Sequence, residues 1–270
     1  MYSGFITSRH AADWLGAHQK FNKIAYKQLH PHVQASKFPP LDRIQHFEGM
    51  NGPDGIKLKS IHRSDEPSHF YNPDTESGPL LDHIENHHQS LVVALGEQNI
   101  SRAAFEAAWL AHTVVDGLTP AHHVPYEQEL HEMYQNGGQH FHRRRNKVII
   151  QGSTRRDALR QNWQMWGRDG LLSNHIHFEL GVATVVIGSS FKGTIHHTKL
   201  KGARRLGVVD FFKTEAKIIH HSHMYDQFQQ TSWTGELART VRRQLAPAII
   251  QAVGIVWILA AEEAGIGIEK

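Results

Sequence analysis

Residues 101–117 read SRAAFEAAWLAHTVVDG and carry the clearest structural signal in the chain. Apolar residues recur every three or four positions, which predicts an amphipathic helix with Ser101 as its N-cap and Gly117 as a left-handed exit. His112 and Asp116 lie one turn apart on the apolar stripe of this helix. Because a buried carboxylate is strongly unfavourable without a partner, the pair must be neutralised by each other or by a cation.

The same helical period recurs along most of the chain, whereas strand patterns are weak throughout. Helices are predicted at residues 11–29, 79–95, 101–116, 157–166, 174–187, 209–228 and 234–263. No repeat of fixed period and no flexible linker divides the sequence, so we predict one all-α domain over residues 1–270. Residues 37–65 and 188–207 are rich in Gly, Pro and basic side chains, and we expect both to form long irregular loops that border a site.

The composition restricts the kinds of site that the chain offers. It has 23 histidines and no cysteine among 270 residues. The absence of cysteine excludes disulfides, thiolate zinc sites, iron–sulfur clusters and cysteine nucleophiles. Because imidazole is the commonest side-chain metal ligand, the excess of histidine indicates a transition metal bound by nitrogen and oxygen. The net charge of +3 is too small to indicate a nucleic-acid-binding protein.

The two ends of the chain bear on export and membrane insertion. Residues 1–20 contain no continuous apolar segment after a basic start, so no secretory signal peptide is predicted. We therefore expect the protein to be cytoplasmic or to be exported by a route that the sequence does not reveal. Residues 245–261 are apolar but short for a membrane span and contain Pro247 and Gln251, which predicts a buried core helix and no transmembrane span.

Paired histidines and acidic residues supply a candidate metal site. A spacing of four residues projects two donors from one face of a helix, and it joins His112 to Asp116 and His175 to Glu179. Two further pairs with this spacing, at residues 62/66 and 123/127, are of the kind that a histidine-rich composition produces by chance. Three further segments, around residues 18, 65–69 and 122, carry histidines and an aspartate that could join these pairs. The candidate ligands are therefore His18, Asp65, His69, His112, Asp116, His122, His175 and Glu179.

Three motifs in order resemble a known enzyme family. The run HFYNPDT at residues 69–75, the string HTVVDGLTPAHH at residues 112–123 and the later HxxxE pair at residues 175–179 closely resemble the zinc-dependent phospholipases C of bacteria. That family is related to the single-strand-specific zinc nucleases of fungi and plants and is mostly secreted. The resemblance covers most of the chain, since AHQKFNKIAY resembles the family's first helix and the segment from Leu237 resembles its last.

The resemblance implies an α-helical domain with zinc ions in a cleft, three in the family and two or three here. One ion would be surrounded by Asp65, His69, His112 and Asp116, with Asp116 bridging to a second ion. Another ion would be held by His122, His175 and Glu179. His18 would serve the remaining ion, beside Asp116.

The sequence departs from the family pattern at two points. Family members bind metal through the free amino group and carbonyl of an N-terminal Trp, whereas this sequence starts at Met1 and its comparable Trp14 is internal. The site that contains His18 would therefore be empty, filled differently, or completed only after cleavage before Trp14. The family's Asp also lies further ahead of the His in HFY than Asp65 does, which makes Asp54 in NGPDG a rival for the same role.

The resemblance and the metal site together predict a metal-dependent phosphodiester hydrolase that uses metal-activated water and forms no covalent intermediate. Asp65 would be the catalytic carboxylate, orienting the water or accepting its proton. Glu179 and the HFYNPDT run resemble the phospholipase branch, whereas the nucleases generally carry Asp in place of Glu179. We therefore favour a phospholipase C that cleaves phospholipids to diacylglycerol and a phosphorylated headgroup, with phospholipid headgroups or a membrane surface as the partner.

Two alternatives stay open on the sequence. A zinc-dependent single-strand nuclease would take nucleic acid as its substrate and would stack bases on aromatic rings beside the metals. Candidates for such rings are Phe70, Tyr71, Tyr126 and Tyr134, which would equally pack against acyl chains or fill a core. A catalytically inactive zinc-binding protein would keep the scaffold while the ion beside His18 fails to assemble.

Overall fold

The computed structural model describes residues 16–59, 69–125, 154–167 and 170–268. Within these ranges no residue belongs to a β-strand, and the extended pairings described are two isolated bridges. The α-helices are α1 (Ala17–Tyr26), α2 (Leu41–His46), α3 (Pro53–Lys59), α4 (Leu80–Gly96), α5 (Ile100–Gly117), α6 (Arg155–Trp166), α7 (Leu171–Gly188), α8 (His197–Leu206), α9 (Val208–His220), α10 (Met224–Thr231), α11 (Gly235–Thr240) and α12 (Ala246–Glu263). Short 3-10 turns at Gly49–Asn51 and Pro120–His123 and a π turn at Val241–Leu245 accompany them. The predicted all-α class is confirmed.

Helix α12 is the centre of the core, and its sequence is apolar on every side. Nearly all of its side chains from Ala246 to Ala261 are buried, and α1, α4 and α5 pack against it. The indole N–H of Trp257 donates to the backbone carbonyl of Ala107 in α5 at 2.9 Å. A helix without a polar side is stable only in an apolar interior. The prediction that residues 245–261 form a buried core helix is confirmed.

Two helical stretches are long and apolar enough to cross a membrane by length and composition, Gly235–Glu263 and Arg155–Gly188. In the first, 83% of the most apolar window is buried inside the fold, as in the core helix of a globular protein. The second is divided at Gly167, where α6 ends before α7 begins. Both are therefore weak evidence for a membrane span.

The two segments expected to be irregular loops contain helices, so that expectation is wrong. Residues 37–65 include α2 and α3, and residues 188–207 include α8. In α8 the buried Leu200 and Ala203 are one turn apart and face the core, while basic side chains occupy the exposed side. The basic composition concealed this short apolar stripe. The helix predicted at residues 209–228 is divided into α9 and α10, because His223 takes a left-handed backbone conformation with φ 52°.

Both ends of α5 differ from the prediction. The N-cap is Asn99, whose side chain accepts a hydrogen bond from the backbone N–H of Arg102 at 3.1 Å. Ser101 lies inside the helix. Gly117 is the last helical residue and not a left-handed exit, and a Cβ atom there would meet Phe212 at 2.6 Å and Leu80 at 2.8 Å. Its lack of a side chain thus lets α4 and α9 close on the end of α5, next to Asp116.

The buried apolar side chains of the described residues form one contiguous core that includes parts of α1, α4, α5, α7, α9 and α12. This agrees with helices packed on one another around one interior. The extent of the domain, residues 1–270, stays a prediction. What matters for the site is that α1, α5 and α7 meet around this core, because each carries one or more of the predicted ligands.

Candidate metal centre

Asp116 lies at the centre of a buried group of histidines. Its Oδ1 is 3.1 Å from Nε2 of His18 and 3.7 Å from Nε2 of His122. Its Oδ2 is 3.3 Å from Nε2 of His112 and contacts Nδ1 of His69. All five side chains are nearly inaccessible to solvent. Four of the predicted ligands therefore converge on the fifth, Asp116.

Separate elements carry these side chains to the same point. His18 lies in the first turn of α1, on its buried face, and its ring stacks on that of His112 with centroids 4.2 Å apart. His69 lies in extended chain, which is fixed to the turn at Pro120–His123 because the backbone N–H of Tyr71 donates to the carbonyl of His122 at 3.2 Å. This turn directly follows α5, so it holds His122 close to Asp116.

A second group of ligands joins α7 to the same turn. Oε1 of Glu179 is 2.8 Å from Nε2 of His122 and 3.1 Å from Nε2 of His175. His175 and Glu179 are one turn apart on α7, as predicted, and His175 is buried. Since His122 also lies 3.7 Å from Asp116, it connects the two groups. The structure thus brings together His18, His69, His112, Asp116, His122, His175 and Glu179.

Glu48 is a further member of the cluster, and the sequence analysis missed it. It is 1% exposed, and its Oε1 accepts a hydrogen bond from Nδ1 of His112 at 2.7 Å. The side-chain amide of Asn22 and the backbone N–H of Gly49 also donate to its carboxylate, each at 3.4 Å. Glu48 has no histidine partner at helical spacing, so no motif singles it out. The one available signal is its position inside residues 37–65, the segment expected to border a site.

The two rival aspartates differ in what the structure describes. Asp54 begins the first turn of α3, and its Oδ1 is 3.7 Å from Nε2 of His112. Its side chain is 29% exposed, so it lies at the accessible edge of an otherwise buried cluster. Asp65, to which the sequence analysis gave the role, lies outside the described residues. The catalytic and ligand roles of Asp65 therefore stay predictions, and Asp54 is the aspartate at the described edge of the cluster.

Of the aromatic residues considered as base-stacking platforms, two lie within the described ranges. Tyr71 is completely buried and packs edge-on against Phe212 with ring centroids 5.2 Å apart. Burial raises its pKa to about 12. Tyr71 is therefore a core residue and not an accessible stacking surface, whereas Phe70 is half-buried. Trp14, Tyr126 and Tyr134 lie outside the described residues.

Burial and neighbouring imidazoles act in opposite directions on the buried carboxylates. Burial acts to raise the pKa of Asp116, but positive charge on groups that include His122 and His112 holds this pKa well below its usual range. Burial also acts to raise the pKa of Glu179, and interactions that include those with His175 and His122 hold it well below its usual range. Both side chains are therefore ionised, which is the form that binds a metal ion.

His112 experiences the attraction of these carboxylates most strongly. Burial acts to lower the pKa of His112, yet the three carboxylates around it, Glu48 foremost, raise it to about 10. For His122, burial lowers the pKa despite the nearby carboxylates of Asp116 and Glu179. The buried carboxylates therefore attract positive charge to the position of His112. A divalent cation bound there would neutralise these carboxylates in place of the proton on His112.

The donor set fits a divalent transition metal. Three groups have ligand atoms within 4.8 Å of one another: Asp54, His69, His112 and Asp116; His18, Glu48 and His112; and His122, His175 and Glu179. Two ligands of a tetrahedral zinc ion with bonds of about 2.1 Å lie about 3.4 Å apart, so small side-chain adjustments suffice. Nε2 of His18 and Nε2 of His112 are buried and make no hydrogen bond with the described residues, as expected of nitrogens that bind a metal.

The sequence and the fold give different results when they are compared with known proteins. No protein-family model matches the sequence, and no curated protein matches it. The structure is similar to that of alpha toxin from Clostridium absonum, with a TM-score of 0.59 and 12% sequence identity. The chain shares the fold of this toxin. The similarity covers 96% of this chain and 66% of the toxin chain.

At 12% identity the likeness to alpha toxin concerns the fold alone. The predicted all-α helical fold is confirmed in that sense. The buried His, Asp and Glu groups are compatible with zinc. The activity, the identity and number of the ions, and the roles of individual residues are proposals that rest on the geometry of the cluster.

Proposed function

We propose that the protein is a metal-dependent phosphodiester hydrolase of the phospholipase C type, which cleaves phospholipids to diacylglycerol and a phosphorylated headgroup. The observation that carries this proposal is the position of Asp116. One buried carboxylate lies against four imidazoles, and one of these, His122, also contacts the separate group on α7. Such connected donor groups suit two or three neighbouring ions, and paired ions are the arrangement that enzymes use on phosphodiesters.

The residues divide into ligands and groups that orient them. Asp116 would bridge two ions, because its two oxygens face different histidines. Glu48 accepts a hydrogen bond from the Nδ1–H group of His112. Nε2 of that ring is then the nitrogen that is available to bind a metal. Bound divalent ions would lower the pKa of a water molecule and neutralise charge on the phosphoryl oxygens.

Asp54 is the described carboxylate best placed to handle the proton of the attacking water. Its side chain is the most exposed of the three carboxylates near His112, so a substrate reaches it first. Burial acts to raise the pKa of Asp54, but positive charge that includes that of His112 lowers it below the usual value. Asp54 is therefore ionised near neutral pH and able to orient the water or accept its proton. Asp65 is the competing candidate for this role.

Phospholipid is favoured over nucleic acid as the substrate by two features. Glu179 resembles the phospholipase branch, since the nucleases generally carry Asp at its position, and it contacts both His122 and His175 in the second donor group. Tyr71, one of the rings proposed for base stacking, is buried in the core. A single-strand nuclease needs accessible rings beside the metals.

The proposal is tested by metal analysis and paired activity assays. The purified full chain is expected to contain two or three equivalents of zinc by mass spectrometry and to hydrolyse phosphatidylcholine and a soluble chromogenic phosphodiester. A chelator should abolish both activities, and zinc should restore them. His112→Ala should lose metal and activity, whereas the control His221→Ala, at an exposed position just after α9, should keep both.

Each contrary result identifies a different function. Hydrolysis of single-stranded DNA without hydrolysis of phospholipid would make the protein a nuclease. Stoichiometric zinc without hydrolysis of phosphatidylcholine, DNA or the chromogenic diester would make it a metal-binding protein on the same scaffold. Protein that contains no metal and binds none on titration would refute all three functions.

A further inference from the structure

Helix α6 exposes three of its large apolar side chains and buries the polar side chain of Gln161. Leu159 is 74% exposed and Trp163 is 72% exposed. The opposite side of the helix buries Gln161, at 7% exposure, together with Met165. Because the hydrophobic effect drives large apolar side chains into the interior, the exposure of Leu159 and Trp163 is unusual for a surface helix.

The exposed apolar residues are aligned. Leu159, Trp163 and Trp166 are spaced four and three residues apart, so they lie on one stripe of α6. Trp166 is 39% exposed. The indole of Trp163 folds back over Gly167, where a Cβ atom would come within 3.0 Å of the ring. A contiguous apolar stripe of this kind on a protein surface marks an interaction site.

The charge of α6 indicates what the stripe contacts. Arg155, Arg156 and Arg160 are exposed, and the one acidic residue of the helix, Asp157, accepts a hydrogen bond from Arg160 at 3.0 Å. Among the described residues, neither Arg155 nor Arg156 forms an ion pair. Arg155 continues the stripe one turn before Leu159. Tryptophan and leucine flanked by arginine are typical of helices that lie in the interface of an anionic membrane.

The same charges argue against a second copy of this chain as the occupant. A symmetric pairing through this face would bring the three arginines of each copy against a surface of the same net positive charge, because Asp157 is the one acidic residue of α6. Such like-charge contacts are unfavourable, whereas the phosphates of a lipid surface would neutralise them.

Helix α6 is also linked to the candidate metal centre through α7. It packs against α7, and α7 carries His175 and Glu179. A bilayer bound to α6 would therefore lie beside the helix that supplies one donor group. We propose that the exposed face of α6 docks on an anionic phospholipid surface, with Leu159 and Trp163 among the lipids and Arg155 and Arg156 on the headgroup phosphates. This inference rests on the proposed function, since it supplies the membrane on which a phospholipase acts.

Vesicle co-sedimentation of the full chain tests the proposal. The vesicles contain phosphatidylcholine alone or phosphatidylcholine with phosphatidylserine, and incubations are brief and cold so that little lipid is consumed. The parent chain is expected to bind the anionic vesicles more tightly. Trp163→Ala and Leu159→Ser should each weaken that binding about tenfold, because each removes a large apolar side chain from the interface. Arg155→Gln and Arg156→Gln should each weaken it about fivefold.

A matched control separates docking from a general loss of surface apolarity. Ile218 is 62% exposed on α9, and Ile218→Ser should bind vesicles like the parent chain. The proposal is overturned if the parent does not bind anionic vesicles, or if Trp163→Ala and Leu159→Ser both bind them like the parent. It is also overturned if Ile218→Ser weakens vesicle binding as much as these two variants do. A concentration-dependent dimer that Trp163→Ala abolishes would assign the stripe to a second copy and also overturn it.

Hydrolysis of a soluble chromogenic phosphodiester by the same proteins distinguishes this inference from the proposed function. If the soluble diester is hydrolysed but vesicle binding does not depend on Trp163, the docking surface is refuted and the proposed hydrolase is not. Vesicle binding that depends on Trp163, without hydrolysis of any diester, would support the docking surface and refute the hydrolase.

Discussion

Glu48 and His112 form a buried hydrogen bond, with Oε1 of the carboxylate 2.7 Å from Nδ1 of the ring. The bond fixes the ring orientation and turns Nε2 towards Asp116, 3.3 Å away. In metal sites a carboxylate that holds the far side of a histidine makes the ring a better ligand and specifies its tautomer. The pair links the segment before α3 to the last turns of α5 and so connects the packing of the fold with the donor set.

Removing the carboxylate of Glu48 should weaken metal binding without unfolding the protein. We expect Glu48→Gln to lower zinc affinity about 10-fold to 100-fold, because the neutral amide holds His112 less firmly. Competition with a chromogenic chelator measures the affinity. The control is Glu97→Gln at an exposed position after α4. Unchanged zinc affinity in Glu48→Gln would show that this carboxylate does not support the metal centre.

Asp54 and Asp65 should differ in their effect on turnover. Asp54→Asn is expected to lower kcat on a soluble phosphodiester about 100-fold or more, since removal of a general base has effects of this size. The far-UV circular dichroism of the variant should be unchanged because the side chain is partly exposed. Asp65→Asn should stay near the parent activity. The opposite result, with loss of turnover in Asp65→Asn alone, would return the catalytic role to Asp65.

His88 should make the fold sensitive to mild acid. It is 3% exposed on α4, and burial lowers its pKa to about 4, whereas an unfolded chain has a histidine pKa of about 6.5. The unfolded state therefore binds the proton first, and stability falls as the pH decreases from about 6.5 towards 4. Between pH 7.5 and pH 5 this one group should cost about 2 kcal/mol of the free energy of unfolding.

The pH effect of His88 is isolated by comparing variants. His88→Gln should lose about 2 kcal/mol less than the parent between these pH values, as measured by urea unfolding of the metal-stripped proteins. The other histidines titrate equally in both proteins, so their contribution cancels in the difference. His221→Gln, at an exposed position, should behave like the parent. An equal loss in His88→Gln and parent would contradict the assignment.

Gly117 should be intolerant of even a methyl group. Its added Cβ would lie 2.6 Å from Phe212 and 2.8 Å from Leu80, so Gly117→Ala must push apart α5, α9 and α4. We expect a loss of about 1–3 kcal/mol in the free energy of unfolding and weaker zinc binding through displacement of Asp116. Gly96→Ala is the control, because nothing lies within 4 Å of its Cβ position. That variant should be neutral or more stable by up to about 1 kcal/mol.

The local features of this protein were predictable because they depend on spacing within one helix. His112 and Asp116 share a face of α5, and His175 and Glu179 share a face of α7, wherever those helices lie in the fold. The uniformly apolar sequence of α12 likewise required an interior position. The all-α class followed from the same periodicity. The short helices α2 and α3 were missed because each has too few turns to show a clear apolar stripe, and α8 was missed because its basic residues concealed its stripe.

The sequence by itself therefore determined the all-α class, which faces of the long helices are apolar, and which donors share a face. Only the tertiary structure decided which donors meet. Glu48 lies 64 residues before His112, and no regular spacing relates such distant positions. Within a helix, backbone hydrogen bonds fix the positions of the side chains relative to one another. Between segments, the distance from one side chain to another depends on how whole helices pack. Gly117 is an example, because its lack of a side chain lets α4 and α9 close on the end of α5.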